Sequence, residues 1–148
     1  MITWIIATVF TLFAAAGAVY FIAPGAVLKL AMVIARSAAG LQLKETTIDG
    51  HRVPYLEGGS GESLVLLHGF GANKDHWTMI APYLTRYFHV IALDVPGFGD
   101  SSRKQDARYA LDDQIARLTG FTTSLGLEQF HVGGNSMGGY LAAVLAAR

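Results

Sequence analysis

Hydrophobic positions change their rhythm near residue 42. Before it they run almost unbroken: Ile2 to Ala23 is 22 residues without a charge, and the first charged side chain is Lys29. From Gln42 onward they come in short runs set apart by glycine, aspartate and serine. The stretch 46–56 reads as a β-hairpin turning at Asp49-Gly50, and 58–61 as a loop. The continuous apolar runs 63–68, 88–94 and 130–134 predict strands buried on both faces. Between them the spacing predicts a helix over 75–84, and a second one carried by Leu111, Ile115, Leu118, Thr122 and Leu125. Asp112 and Asp113 fall in the first turn of that second helix, where the dipole favours them. A last helix, rich in alanine and leucine, runs from Met137 to Arg148. After the hairpin, strand and helix alternate three times, which is the pattern of an α/β fold with a mostly parallel sheet and flanking helices. Ligands of such sheets bind beyond the carboxyl ends of the strands. Here those ends carry His68-Gly69-Phe70-Gly71, Asp94-Val95-Pro96-Gly97 and Asn135-Ser136-Met137.

The N-terminal run is long enough, at roughly 33 Å as a helix, to cross a hydrocarbon core of about 30 Å. Trp4 and Tyr20 stand near its two ends, where interfacial aromatics are expected. A signal peptide would carry basic residues before its apolar core, and a buried soluble helix would show a polar face; this segment has neither. The favoured reading is therefore a single-pass transmembrane anchor over 1–28. Lys29, Arg36 and Lys44 follow it and favour a cytoplasmic side for what comes after. Residues 29–44 form a connector. Lys29 and Arg36, seven apart, share one helical face, so it reads either as an amphipathic helix in the headgroup region or as a continuation of the anchor. The remainder, 45–148, is a globular unit.

Composition narrows the function classes. The chain has 148 residues, a mean hydropathy of +0.38 and no cysteine, which excludes disulfides, zinc–thiolate sites and a cysteine nucleophile. Eleven basic residues balance eleven acidic ones, so no global field attracts nucleic acid.

The chemistry concentrates at Gly134-Asn135-Ser136-Met137-Gly138, a Gly-x-Ser-x-Gly sequence. It follows a predicted strand and opens a predicted helix, which is the context of a nucleophile elbow. A sharp strand-to-helix turn exposes the Ser136 hydroxyl, and the positions two residues either side pass too close to neighbouring backbone to carry bulk. The competing reading is an ordinary N-cap serine in a glycine-rich turn. Acyl transfer also needs donors for a developing oxyanion. The main-chain N–H of Met137 is one candidate, and the N–H of Phe70, in the turn between Gly69 and Gly71, is the other. A phosphate-binding loop fits less well, because neither a third glycine nor a Gly-Lys-Ser/Thr sequence is present.

Taken together, His68-Gly69-Phe70-Gly71, Asn73-Lys74-Asp75-His76-Trp77, the run from Asp94 to Ser102 and the run from Gly133 to Gly139 resemble the α/β-hydrolase superfamily, in family order and spacing. The resemblance is to bacterial lipases and esterases and to membrane-anchored monoacylglycerol lipases. It implies an α/β-hydrolase fold behind an N-terminal transmembrane helix, Ser136 as nucleophile, and Phe70 and Met137 as oxyanion-hole amides. His68, Gly69, Gly134 and Gly138 become supporting loop positions, and Asp94 a position that holds loops in place. It implies a serine hydrolase acting on carboxylic, lipid-derived esters beside a membrane, with no metal or organic cofactor and no nucleic-acid partner.

The family order places an acid and then a histidine after the serine. No Asp, Glu or His follows Ser136, and all five histidines precede it. His68 is expected to be held by loop backbone, His89 and His131 to be satisfied core histidines, His51 to be exposed on the hairpin, and His76 to flank the turn after Gly71. The expectation is thus the N-terminal half of a hydrolase domain, with an incomplete sheet and little turnover of its own. The alternatives are a non-catalytic membrane binding protein of the same fold and a carbon–carbon bond hydrolase.

Overall fold

A computed structural model describes residues 2–148, with the side chains at positions 3, 12, 16 and 20 outside the description; the interfacial role expected of Tyr20 falls there. Two compact units are present, Met1–Ala35 and Arg36–Arg148.

The first unit holds helix α1 (Ile2–Ile22) and most of α2 (Pro24–Ala38). Pro24 opens α2, where its missing N–H costs nothing. Trp4, Phe13, Phe21, Leu28 and Ile34 all expose their side chains. Among the described residues no single helix is long and apolar enough to cross a membrane. The bent pair Trp4–Val19 and Pro24–Ala38 passes by length and composition.

The second unit is built on a five-stranded sheet in the order β1-β2-β4-β3-β5. Strands β1 (Gln42–Ile48) and β2 (His51–Gly58) form the predicted hairpin, paired from Gln42↔Glu57 to Ile48↔His51. Its two turn residues have positive φ, 50° at Asp49 and 69° at Gly50, the conformation a two-residue hairpin needs. β1 starts at Gln42, inside the stretch expected to be connector. β2 runs antiparallel to β4 (Phe88–Leu93), and β4 runs parallel to β3 (Glu62–Leu67), which in turn runs parallel to β5 (His131–Gly134). The sheet is therefore mixed, with two antiparallel and two parallel pairings, rather than mostly parallel. The sequence pattern showed the hairpin but not that β2 joins it to the parallel strands.

Alternation along the strands divides the core between the two faces of the sheet. Val53, Tyr55, Val65, Leu67, Ile91 and Leu93 pack with Ile115, Leu118 and Phe121 of α4 (Leu111–Ser124) and Leu141 of α5 (Met137–Ala146). Leu56, Leu66, Val90 and Ala92 face the other way, onto Leu41, Trp77 and Ala81. The helix expected over 75–84 is instead a short 3-10 turn, Lys74–Trp77, followed by a single-turn α3, Ala81–Leu84. Asn73 caps the first by accepting from the Asp75 N–H, and Pro82 sits in the first turn of the second. β5 is an edge strand. Its His131 side chain is exposed, so this run is not the doubly buried strand its apolar sequence predicts.

Candidate active site

The carboxyl ends of β3, β4 and β5 lie side by side, because all three run parallel in adjacent positions. The chain leaves β5 through Asn135, whose N–H extends the ladder to the Leu67 carbonyl at 3.1 Å, and then turns at once. Gly138 N–H closes that turn onto the Asn135 carbonyl at 2.9 Å, and Tyr140 N–H reaches the Ser136 carbonyl at 3.1 Å to start α5. Between these bonds Ser136 has φ 51° and ψ −117°. Apart from Asp49 it is the non-glycine residue with positive φ among those described. Its side chain makes no capping hydrogen bond and is exposed. An ordinary N-cap serine has extended backbone and spends its oxygen on the helix N–H groups, so that reading does not describe this residue. A side chain held at a costly φ and left unpaired is what a strained functional turn presents.

Two glycines make the turn possible. A Cβ on Gly134 would stand 2.3 Å from the Gly138 carbonyl carbon and oxygen, and one on Gly138 would stand 2.1 Å from the Leu67 oxygen. Both obstacles are backbone, so neither position has room for a side chain. The turn after β3 lies against the same spot: a Cβ on Gly69 would be 3.0 Å from Asn135 Oδ1 and 3.5 Å from the Ser136 Cβ. Phe70 follows, its ring 79% exposed and edge-on to Phe98.

His68 is fully buried and both its nitrogens are engaged. Nε2 takes the Val95 N–H at 3.1 Å, so it must be the unprotonated nitrogen, and Nδ1–H donates to the Gly69 carbonyl at 2.8 Å. Burial pushes its pKa below the usual imidazole value. The ring is thus a neutral strut between the β3 and β4 turns, with no lone pair left to accept a proton.

Beneath these turns lies a charged cluster. Lys74 is fully buried; its Nζ donates to Asp94 Oδ2 at 2.9 Å and to Asp100 Oδ2 at 2.7 Å. The main-chain N–H groups of Lys74 and Asp100 also donate to Asp94, at 2.7 and 2.9 Å. Burial works against the ammonium, but the hydrogen bonds to Asp100 and Asp94 outweigh it and hold the Lys74 pKa above its ordinary value. The same bond to Lys74 holds the Asp100 carboxyl below the usual range. Asp75 extends the cluster outward and accepts two bonds from Arg36, at 2.6 and 2.8 Å. Beside the Ser136 turn opens a cleft of about 530 Å³, lined mainly by Phe70, Phe98, Tyr109, Leu111, Met137 and Leu141. No group of three or more His, Asp or Glu side chains is placed to hold a metal ion among the described residues.

Residues 62–148 match the model of the alpha/beta hydrolase fold family. The chain belongs to the α/β-hydrolase family. Over 117 residues, 76% of its length, it is 43% identical to Lipase 1 of Psychrobacter immobilis, and over 130 residues, 84% of its length, it is 33% identical to monoacylglycerol lipase abhd6-A of Xenopus laevis. These matches span 37% and 39% of the two relatives, so the chain covers well under half the length of either α/β hydrolase. Among solved structures, a membrane phospholipase A described as a bacterial virulence factor superposes with a TM-score of 0.83 at 43% identity, covering all of this chain and 48% of that one. A putative lipase from Acinetobacter baumannii AYE superposes at 0.76 with 34% identity, covering 80% of this chain and 40% of that one.

Within this hydrolase fold none of the remaining histidines is hydrogen-bonded to Ser136 among the described residues. His131 opens β5, with roughly 10 Å of strand between it and Gly134. It is exposed and bonded to Glu62 at 2.8 Å, and is not a core histidine. His89 enters β4 at the same end of the sheet and meets Glu57 at 2.6 Å. His51, expected to be exposed, is 1% exposed: the hairpin folds it under Tyr109, whose ring it meets edge-on, with Nε2 3.3 Å from the hydroxyl. His76 is exposed and packs edge-on against Trp77. The Lys74 cluster went unread in the sequence. Its signal was a lysine and two aspartates close to glycine-rich turns, but nothing in local spacing says that residues 74, 94 and 100 meet.

Proposed function

We propose that this chain carries the nucleophile and the oxyanion site of a serine hydrolase acting on lipid-derived carboxylic esters. The observation that carries the reading is Ser136 itself: an exposed, uncapped serine at φ 51° on a strand-to-helix turn of an α/β hydrolase. Ser136 Oγ attacks the ester carbonyl carbon, and its proton passes to a base. The carbonyl oxygen becomes an oxyanion that accepts from the main-chain N–H groups of Phe70 and Met137. The alcohol then leaves with a proton, and water releases the acid from the acyl-enzyme. The positive end of α5 faces the charge that develops at Ser136.

The reading calls for a histidine base oriented by an acid, which the family order places after the serine. His68 is unsuited, since both its nitrogens are already bonded. The bent apolar pair at the N-terminus is read as a membrane attachment, possible for its length and composition. The superposition of the whole chain on a membrane phospholipase A supports that reading. An enzyme held there meets esters that partition into the bilayer.

The test is Ser136→Ala in the full-length protein, assayed with a monoacylglycerol and with a fluorophosphonate that labels activated serines. Loss of at least about a thousandfold in kcat, together with loss of labelling, is expected. Turnover that survives the substitution overturns the assignment.

A further inference from the structure

Away from the cleft beside Ser136, the exposed large hydrophobic side chains of the second unit, among the described residues, are Leu43, Met79, Ile80, Tyr83 and Tyr87. Four of these five fall within nine residues, on α3 and the turns at its two ends. Single exposed hydrophobics need no explanation, but a cluster marks a surface that meets something. Helical hydrogen bonds run through the segment, from the Leu84 N–H to the Ile80 carbonyl and from the Thr85 N–H to the Ala81 carbonyl, and the Tyr87 N–H reaches back to Leu84. They set Ile80, Tyr83 and Tyr87, spaced three and four apart, on one side, while Trp77 and Ala81 turn into the core. Met79 beside them is 84% exposed. The charge of this segment has one sign. No Asp or Glu occurs from His76 to Leu93, and Arg86 lies with its guanidinium 5.9 Å from the centre of the Tyr83 ring. The stretch from Met1 to Lys44 has the same character, since its charged side chains are Lys29, Arg36 and Lys44 and the first acid is Glu45. Inside the second unit the two stretches meet. Arg36 donates twice to Asp75, immediately before His76, and Ala39 and Leu41 share a buried cluster with Trp77 and Ala81.

We propose that the face made by Met79, Ile80, Tyr83, Arg86 and Tyr87 is a lipid-docking surface of the hydrolase unit, seated in the headgroup region of an anionic bilayer. The proposal rests on reading the N-terminal helices as a membrane attachment. Tyrosine suits that depth, because its ring leaves water while its hydroxyl stays in it. Met79 and Ile80 add apolar area for the acyl boundary, and Arg86 meets anionic headgroups with no carboxylate in its own segment to compete for it. Lipid is favoured over a protein partner for two reasons. The segment read as attached joins the second unit at Arg36, next to this face, and both stretches carry basic charge alone, as an anionic surface requires.

The experiment places an NBD fluorophore on the full-length protein through Tyr83→Cys, since this chain offers no native thiol. Two further labelled proteins carry Val9→Cys, in α1, and Arg108→Cys, which lies against α4 on the opposite face of the sheet. Each is mixed with phosphatidylcholine–phosphatidylglycerol vesicles, with and without lipids bearing a nitroxide at the top of the acyl chain. Nitroxide should lower the emission at positions 83 and 9 about twofold or more and leave position 108 unchanged. Arg86→Glu should relieve about half of the quenching at position 83, and quenching that ignores it overturns the assignment to anionic headgroups. No quenching at position 83 overturns the proposal. Emission there that is shielded from iodide without any vesicles then assigns the face to protein, a second copy or a further part of the chain; emission open to iodide leaves it in water. Equal quenching at positions 83 and 108 also overturns it, because the unit then meets lipid without selecting this face. Quenching at position 9 without position 83 sinks the docking surface and keeps the attachment, and quenching at position 83 without position 9 supports the surface and sinks the attachment reading.

Discussion

At the scale of single residues, the tightest demands fall on positions with no side chain. A methyl group on Gly138 would press on the Leu67 oxygen at 2.1 Å and the His68 oxygen at 2.6 Å, main-chain atoms at the end of a central strand. Gly139, one residue on, would meet nothing closer than the Gly134 oxygen at 3.3 Å, and alanine gains up to about 1 kcal/mol of helix propensity there. Gly138→Ala should therefore cost about 3 kcal/mol or more in chemical denaturation, and Gly139→Ala should stay within about 1 kcal/mol of the parent. Equal effects would mean that the close approach of β3 and α5 is not what fixes the turn. His68 makes a second demand, through protonation. Burial lowers its folded-state pKa, so it stays neutral where the unfolded chain, near pH 6.5, begins to bind a proton. Its contribution is whole above that pH and is lost as pH falls from there through the folded-state value. The melting temperature should fall between pH 7 and 5, and His68→Gln should flatten that part of the profile while lowering stability at pH 7.

At the scale of elements, legibility tracked how local the determining contact is. The hairpin was readable because two adjacent residues, Asp49 and Gly50, decide it. The 3-10 turn at Lys74–Trp77 was not readable as such: a lysine drawn under the sheet by two distant aspartates overrides the helical spacing of its neighbours. β5 read as buried because its residues are apolar; an incomplete sheet was expected, but the local pattern does not say that β5 is the strand at its edge. α2 shows the same limit. Lys29 and Arg36 share a helical face, which suggested a pair of headgroup contacts, but the Arg36 guanidinium is engaged by Asp75 in two hydrogen bonds, with side chains only 12% and 14% exposed. Asp75 holds the Arg36 pKa above its ordinary value. Arg36 is thus tied to Asp75 within the hydrolase unit. A double-mutant cycle of Arg36→Gln and Asp75→Asn should give a coupling of about 1 to 3 kcal/mol. Coupling near zero, or Arg36→Gln weakening vesicle binding with no loss of stability, would return Arg36 to the membrane.

At the scale of the whole molecule, the loops that make the candidate site are gathered by one buried cation. Ser136 could be singled out as a candidate from sequence because its motif is contiguous. What holds the opposing turns in place is spread over 65 positions from Arg36 to Asp100, and only folding brings it together. Lys74 Nζ ties Asp94, at the end of β4, to Asp100 in the loop beyond, and its neighbour Asp75 ties that junction to Arg36. Removing the cation alone leaves Asp94 buried as an anion with only two main-chain donors, and a broken buried pair of this kind costs about 3 to 5 kcal/mol. Lys74→Met should fall in that range. Asp100→Asn should cost less than about 1 kcal/mol, because that side chain is 66% exposed and water can replace its partner. Combining Lys74→Met with Asp94→Asn removes both buried charges at once. Urea titration should then show the double variant no less stable than Lys74→Met alone, since the stranded anion is gone. An additive loss instead would mean that Asp94 matters for its bonds to the loop backbone and not for its charge, and that Lys74 is a filler of space rather than the tie between the turns.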